Sequence, residues 1–253
     1  MAQMRICFIG DSFVSGAYDD ECLGWVGRIS AAARRRKHDV SPYNLGVRGE
    51  TSTQIARRWR AEAEARQSAQ QEGRLVFEFG VNDAREANGK RQLEAAQSLA
   101  AAREILAAAV AWKPTLMIGP PPGGDAARNA RVNDLSEAMA GLCALLGVPF
   151  FDSFTLLAAS STFIPSTKAV DGTHPNASGY AEWARLIDEW PAWRGWLPYN
   201  GACVASAKGG ALPVAMKPGR ARGVERRTAV LGRERRPRSI SHTPSHHHSL
   251  EES

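Results

Sequence analysis

Short apolar runs and longer helix-like segments alternate along the first 200 residues. The first run, Ile6-Cys7-Phe8-Ile9, stops at Gly10-Asp11-Ser12. A short apolar run ended by glycine and small polar residues predicts a buried strand passing into a turn. Four further strands are expected at Asp39–Leu45, Arg74–Phe79, Thr115–Ile118 and Val148–Phe151. Pro42 interrupts the second early and predicts an edge position for it. Helices are expected at Glu21–Lys37, from Thr51 or Ser52 to about Gln67, at Lys90–Trp112 and at Ala127–Leu146, the last closed by Gly147. Gly119 to Gly124, with three prolines inside it, is a rigid bend. The stretch after Asp152-Ser153 reads as irregular, and a last helix runs from Asn176 to Trp196, where Pro191 must break or kink it. Trp183, Trp190, Trp193 and Trp196 recur at helical spacing and are expected to pack. Alternating strands and helices predict an α/β fold with a parallel sheet covered on both faces.

From Tyr199 onward the texture changes to Gly, Pro, Arg and Ser without period. The expected division is a domain over 1–200 and a disordered tail over 201–253. Charge follows the same line. Residues 201–253 hold ten Lys and Arg against four Asp and Glu, which is the whole of the +6. Residues 1–200 hold 22 of each sign, so a basic pI does not argue that the domain binds nucleic acid; the tail alone offers that alternative. His246-His247-His248 reads as solvated tail, and Arg34-Arg35-Arg36-Lys37 as cations at a helix C-terminus. Only Met1-Ala2-Gln3 precede the first strand, and no apolar run reaches the 18 to 20 residues of a membrane span. Cys7, Cys22, Cys143 and Cys203 show no paired spacing and read as free thiols. The expectation is a cytoplasmic protein.

Candidate chemistry sits at the ends of the strands, where open α/β sheets bind their ligands. Ser12 follows the first strand, and a sharp strand-to-helix turn exposes such a hydroxyl beside backbone N–H groups. Asp11 or Ser12 can equally well only cap the next helix. A nucleophilic serine needs a base, and 1–200 contain two histidines, His38 and His174. His38 falls before the second strand, at the wrong edge of the sheet, which leaves His174. Asp171, three residues earlier, can fix its tautomer; a turn leading to a capped helix is the competing reading of Asp171-Gly172-Thr173-His174-Pro175. Asn82 offers an amide donor and Gly49 a backbone N–H, while Asn82-Asp83 also suits a plain turn. Asp83 is expected only to support its loop.

Together Gly10-Asp11-Ser12, Asn44 to Thr51, Gly80-Val81-Asn82-Asp83 and Asp171-Gly172-Thr173-His174 resemble the four motifs of the SGNH hydrolases, the GDSL family of esterases and lipases. Phe13 stands where that family often has Leu, and the resemblance does not reach the basic tail. It implies a flavodoxin-like three-layer α/β/α sandwich with five parallel strands. It implies Ser12 as nucleophile, His174 as base, Asp171 as its orienter, and an oxyanion hole from the Ser12 N–H, the Gly49 N–H and the Asn82 amide. The expected activity is hydrolysis of small-molecule carboxylic esters through an acyl-enzyme, with no metal or organic cofactor. The alternatives are an acyltransferase using the same serine, or a nucleic-acid-associated protein working through residues 201–253. Loops 14–22, 119–125 and 158–170 are expected to line the pocket, with Tyr18, Pro120 to Pro122, Phe163 and Ile164 as its apolar surface.

Overall fold

Successive side chains of a strand point to opposite faces, and in this chain both faces are apolar. Ile6 and Phe8 of β1 (Met4–Gly10) enter one core, and Cys7 and Ile9 enter a second. Val76 of β3 (Glu72–Glu78) joins the first core, Leu75 and Phe77 the second. Leu116 and Ile118 of β6 (Thr115–Ile118) lie on the first side and Met117 on the other. Strands buried on both faces are the mark of a parallel sheet between helix layers.

A computed structural model describes residues 3–67, 72–87 and 89–197, all within one compact unit, Met1–Val204. Its main sheet has the order β2-β1-β3-β6-β7, with β2 at Val40–Gly46 and β7 at Phe150–Phe151. Every pairing in it is parallel. This is the flavodoxin-like three-layer α/β/α sandwich, and Pro42 lies on an edge strand. The first core takes α2 (Gly24–Arg35), α8 (Ala177–Glu189) and α9 (Pro191–Trp196); the second takes α3 (Ser52–Glu64), α4 (Ala95–Val110) and α5 (Ala126–Leu146). The helix after β1 therefore covers one face and the helix after β3 the other. The crevice between those two neighbouring strands is the topological switch point of the sheet.

Several elements differ from expectation. Residues Glu86–Ala87 (β4) and Lys90–Arg91 (β5) form a small antiparallel ribbon, so α4 starts at Ala95 and not at Lys90. The Ala-rich composition favours helix, but a capping box at Glu94 and Gln97 fixes its start. The irregular stretch holds two short helices, α6 (Ser153–Ala158) and α7 (Phe163–Lys168). Pro191 divides the last helix as expected, into α8 and α9. Trp183 and Trp193 are fully buried, while Trp190 and Trp196 pack partly buried at the rim of the same core. Among the described residues no helix is long and apolar enough to cross a membrane, and Cys7, Cys22 and Cys143 are free thiols. Cys203, His246 to His248 and the whole of the expected tail lie outside the described residues.

The first turn after β1 is packed by glycines. A Cβ on Gly46 would lie 2.2 Å from the Ser15 nitrogen and 2.7 Å from the Asp11 carbonyl oxygen. Gly46→Ala therefore forces the β2 loop away from the short helix α1 (Ser12–Ser15). It is expected to cost about 3 kcal/mol, the upper end of ordinary overpacking. A Cβ on Gly141, inside α5, meets nothing within 4 Å, and Gly141→Ala is expected to add about 1 kcal/mol from helix propensity. Urea titrations of the two variants, read by fluorescence of the buried tryptophans, check both signs.

Candidate active site

The chain turns sharply after β1, and Asp11 makes the turn. Its Oδ1 accepts the Phe13 N–H at 2.9 Å, so Asp11 is the N-cap of α1. The helix-cap reading is thus correct for Asp11, and it frees Ser12, whose side chain takes no part in the cap. Ser12 is 4% exposed at the C-terminal edge of the sheet. Its Oγ lies 2.7 Å from His174 Nε2, and His174 Nδ1 lies 2.8 Å from Asp171 Oδ2. With the Nδ1 proton directed at the carboxylate, Nε2 is left to accept the Ser12 hydroxyl proton.

The segment carrying His174 is fastened at several points. Asp171 Oδ1 accepts the N–H groups of Thr173 and His174, both at 2.8 Å. Arg128 of α5 donates Nη1 to Thr173 Oγ1 at 2.8 Å and Nη2 to the Gly172 carbonyl at 2.9 Å. Asn176 caps α8 immediately afterwards, so the turn-and-cap reading of this stretch is also correct and coexists with the histidine contact. The imidazole packs against Phe13, with ring centroids 4.9 Å apart, and against Tyr18 at 5.2 Å. Phe13 in turn meets Trp183 edge-on at 6.0 Å. The ring position is thereby set by the core.

Burial holds the His174 pKa below the ordinary histidine value; the Asp171 carboxylate pulls it back up, and the charges of Arg48 and Arg128 push it down. The ring is neutral at neutral pH. Burial pushes Asp171 upward, but hydrogen bonds from the His174 N–H, the His174 ring and the Thr173 N–H outweigh it and hold the carboxyl below its usual range. The relay thus consists of a hydroxyl, a neutral imidazole and a carboxylate.

Asn82 lies just past β3 at the same crevice. Its Nδ2 donates to Asp11 Oδ2 at 3.0 Å and to the Glu50 carbonyl at 2.9 Å. Both amide protons are therefore engaged within the protein. Gly49 has φ +81° in the turn Val47–Glu50, closed by the Glu50 N–H on the Val47 carbonyl. A Cβ there would meet nothing within 4 Å, so conformation and not crowding favours glycine. The Val47 N–H donates to the Gly10 carbonyl at 3.0 Å, which holds this turn against the serine turn. Ser12, Asp171 and His174 are joined directly; Asn82 joins them through Asp11, and Gly49 through its neighbour Glu50. His38, beside the start of β2, is at the opposite edge of the sheet. Of the expected apolar pocket surface, Tyr18 stands at the site. Phe163 does not: it is fully buried against Trp183, with centroids 5.9 Å apart. Pro120 to Pro122 are buried too.

Three buried acids, Asp11, Asp83 and Glu78, stand around the serine turn; Asp83 supports its loop as expected, and only Glu78 was given no place by the sequence. Asp83 Oδ1 accepts the Ser52 N–H at 2.8 Å and ties the β3 loop to the start of α3. Glu78 is wholly buried, and neither of its carboxyl oxygens has a hydrogen-bond partner among the described residues. After Arg74 at its start, it is the one charged residue in the run Arg74–Phe79, and that was the available signal. Burial raises its pKa well above the ordinary value, and the charge of Asp11 raises it further. Burial also lifts Asp11 to about 7, against the pull of its Phe13 and Asn82 donors. An anion settles where donors are: Asp11 has two and Glu78 none, so Glu78 keeps the proton.

The model of the GDSL-like Lipase/Acylhydrolase family matches residues 8–182. The chain belongs to that family. Its GDSL-like fold is similar to the crystal structure of the lipase/acylhydrolase from Enterococcus faecalis, at 23% identity and TM-score 0.61, covering 79% of this chain and 100% of the other. It is also similar to Axe2, an acetylxylan esterase from Geobacillus stearothermophilus, at 16% identity and TM-score 0.61, covering 74% and 95%. LAE5, an alpha/beta hydrolase enzyme from the metagenome of Lake Arreo, Spain, matches at 19% identity and TM-score 0.61, over 78% and 98%. No protein of curated function matches the sequence.

Glu78 makes a measurable prediction about this GDSL-like domain. In the unfolded chain its carboxyl ionises near 4.5, whereas in the fold it stays protonated to higher pH. The native state then binds more protons than the unfolded one, and stability falls as pH rises, by up to about 1.4 kcal/mol per pH unit for one group. Glu78→Gln removes this contribution. Urea midpoints at pH 5 and pH 8 are expected to separate less in the variant than in the wild type, and an equal loss in both would show an ionised Glu78.

Proposed function

We propose that the protein is a serine esterase that cleaves carboxylic esters of small molecules through an acyl-enzyme. The observation that carries this reading is the unbroken relay from Ser12 Oγ to His174 Nε2 at 2.7 Å and from His174 Nδ1 to Asp171 at 2.8 Å. The site stands at the switch point of a hydrolase-family fold. Ser12 attacks the ester carbonyl carbon while its proton passes to His174 Nε2. The imidazolium that forms is stabilised by Asp171. Charge on the tetrahedral oxygen is received by the N–H of Ser12, an amide in the first turn of α1 that the helix itself leaves unused. The Gly49 N–H and the Asn82 amide are the other two donors. For Asn82 this means sharing or turning one N–H away from Asp11 or the Glu50 carbonyl, so the oxyanion competes with partners already in place. His174 then gives its proton to the leaving alcohol. Water, activated by the same imidazole, releases the acid and regenerates Ser12.

Steady-state hydrolysis of p-nitrophenyl esters, from acetate to palmitate, tests the reading. Ser12→Ala is expected to lower kcat by about 10⁴-fold or more, and Asp171→Asn by about 10³–10⁴ through loss of the correct tautomer. Asn82→Ala is expected to lower kcat by about 10²–10³ with KM little changed. A folded Ser12→Ala protein with wild-type rates would end the proposal.

The direction of the His174 shift sets the pH profile. The base works only when neutral, and its pKa lies below the ordinary 6.5. In the wild type kcat/KM is therefore expected to rise through an acid limb as His174 loses its proton and to level off above it. A rate that climbs steadily through pH 9 would mean that another group is the base.

A further inference from the structure

Tyr18 is held in a backbone conformation that tyrosine seldom adopts, with φ +65°. Both its neighbours are anchored. The Ala17 carbonyl accepts the buried Tyr180 hydroxyl at 3.0 Å. Asp19 is buried, accepts the Gly24 N–H at 2.7 Å and pairs with Arg28. Strain of this kind persists only where the surroundings impose it, and it gathers at functional sites. Here its effect is to set the Tyr18 ring, 46% exposed, beside the His174 ring.

The outer partner of Tyr18 is a cation. The guanidinium carbon of Arg48 lies 4.8 Å from the Tyr18 ring centroid. Arg48 is exposed and makes no ion pair with any described residue. The carboxylates of the neighbouring turns have partners of their own: Glu50 pairs with Arg58 at 2.6 Å, Asp19 with Arg28, and Asp171 with His174. Arg48 also immediately precedes Gly49, in the turn held against the serine turn. Its charge reaches His174, whose pKa it helps to depress. An unpaired guanidinium, positioned by stacking on a strained aromatic beside the reactive imidazole, is a ready partner for an anion.

The side of the reaction follows from His174. Its Nε2 delivers the proton to the leaving oxygen, so groups packed on that ring flank the alcohol part of the ester. We infer that Arg48, stacked on Tyr18, binds an anionic group, carboxylate or phosphate, on the alcohol part of the substrate. The inference rests on the esterase reading and narrows it to acyl esters of acidic alcohols. A neutral ester gains nothing from the charge of Arg48.

Two acetate esters of nearly equal size separate the possibilities: 4-acetoxybenzoate, which is anionic, and 4-acetoxybenzamide, which is neutral. In the wild type kcat/KM is expected to favour the anion by about tenfold, the size of one charge-assisted hydrogen bond. The preference is expected to shrink as salt rises from 0.05 to 0.5 M. Arg48→Ala is expected to bring the ratio of the two esters to about one, and Arg48→Lys to keep part of the preference. Titrating 4-hydroxybenzoate and 4-hydroxybenzamide into the Ser12→Ala protein reads the same discrimination without turnover. If neither ester is hydrolysed, this titration still decides the anion site, and the p-nitrophenyl series decides the esterase reading separately. Phenyl phosphate in the same titration distinguishes a phosphate site, which it would bind more tightly than the benzoate, from a carboxylate site. A wild-type ratio of one or less with no tighter binding of the anions, or an Arg48→Ala protein that keeps the wild-type ratio, overturns the inference.

Discussion

One buried carboxylate joins the parts of this site. Asp11 accepts the Phe13 N–H with one oxygen and the Asn82 amide with the other, at 2.9 and 3.0 Å. The first bond starts the helix that carries Ser12. The second binds the loop after β3 to the turn after β1 across the crevice of the sheet. Asn82 continues the chain to Glu50, and the β2 turn is drawn in through Val47 and Gly10. Three loops that the sheet only brings near one another are thus tied together through one carboxyl group. Ser12 stands on a helix of four residues, too short to hold itself; besides the Asp11 bond, the buried Phe13 and Val14 and the Asn44 amide on the Val14 carbonyl fix it.

Burying that carboxyl is costly, and the cost shows in its pKa, which burial lifts to about 7. Glu78, the register partner on β3 of the adjacent Gly10, takes the proton and leaves the charge to the residue with donors. Asp83 spends one oxygen on the start of α3. The consequence for the reaction is a tension at Asn82. The carboxyl that positions the amide also competes for its protons with the oxyanion that the amide is proposed to stabilise. A site preorganised this way trades some donor strength for fixed geometry, and fixed geometry is the larger contribution when charge develops in a dry crevice. On the other side of Ser12, Phe13 and Tyr18 pack against the imidazole, Trp183 backs Phe13, and Asp171 holds the ring by its hydrogen bond.

The sheet was legible because its strands are buried on both faces, which leaves short, continuous apolar runs bounded by glycine and polar turns. The polar residues at their ends marked the site for the same reason: at the C-terminal edge of a parallel sheet, a Ser, an Asn and a His-bearing loop have no core to join. The illegible parts have physical causes too. Residues from Lys90 to Leu93 have helix-favouring neighbours, but the cap at Glu94 comes later and the chain uses the interval for a two-residue ribbon. Phe163 in a polar stretch read as pocket surface, because nothing local says that α7 folds back onto Trp183. Glu78 inside an apolar run was passed over because a charge there has no sequence partner; its partner is Asp11, 67 residues earlier. Arg48 and Tyr18 lie 30 residues apart and meet only across the loops of β1 and β2.

The central claim is that His174 makes Ser12 the nucleophile. Reaction of the whole protein with a fluorophosphonate, followed by peptide mass spectrometry, tests it without choosing a substrate. The account predicts one stoichiometric adduct, on the peptide containing Ser12, formed in the wild type and lost in a folded His174→Ala protein. An adduct on another serine, or labelling of Ser12 at the same rate without His174, would contradict it.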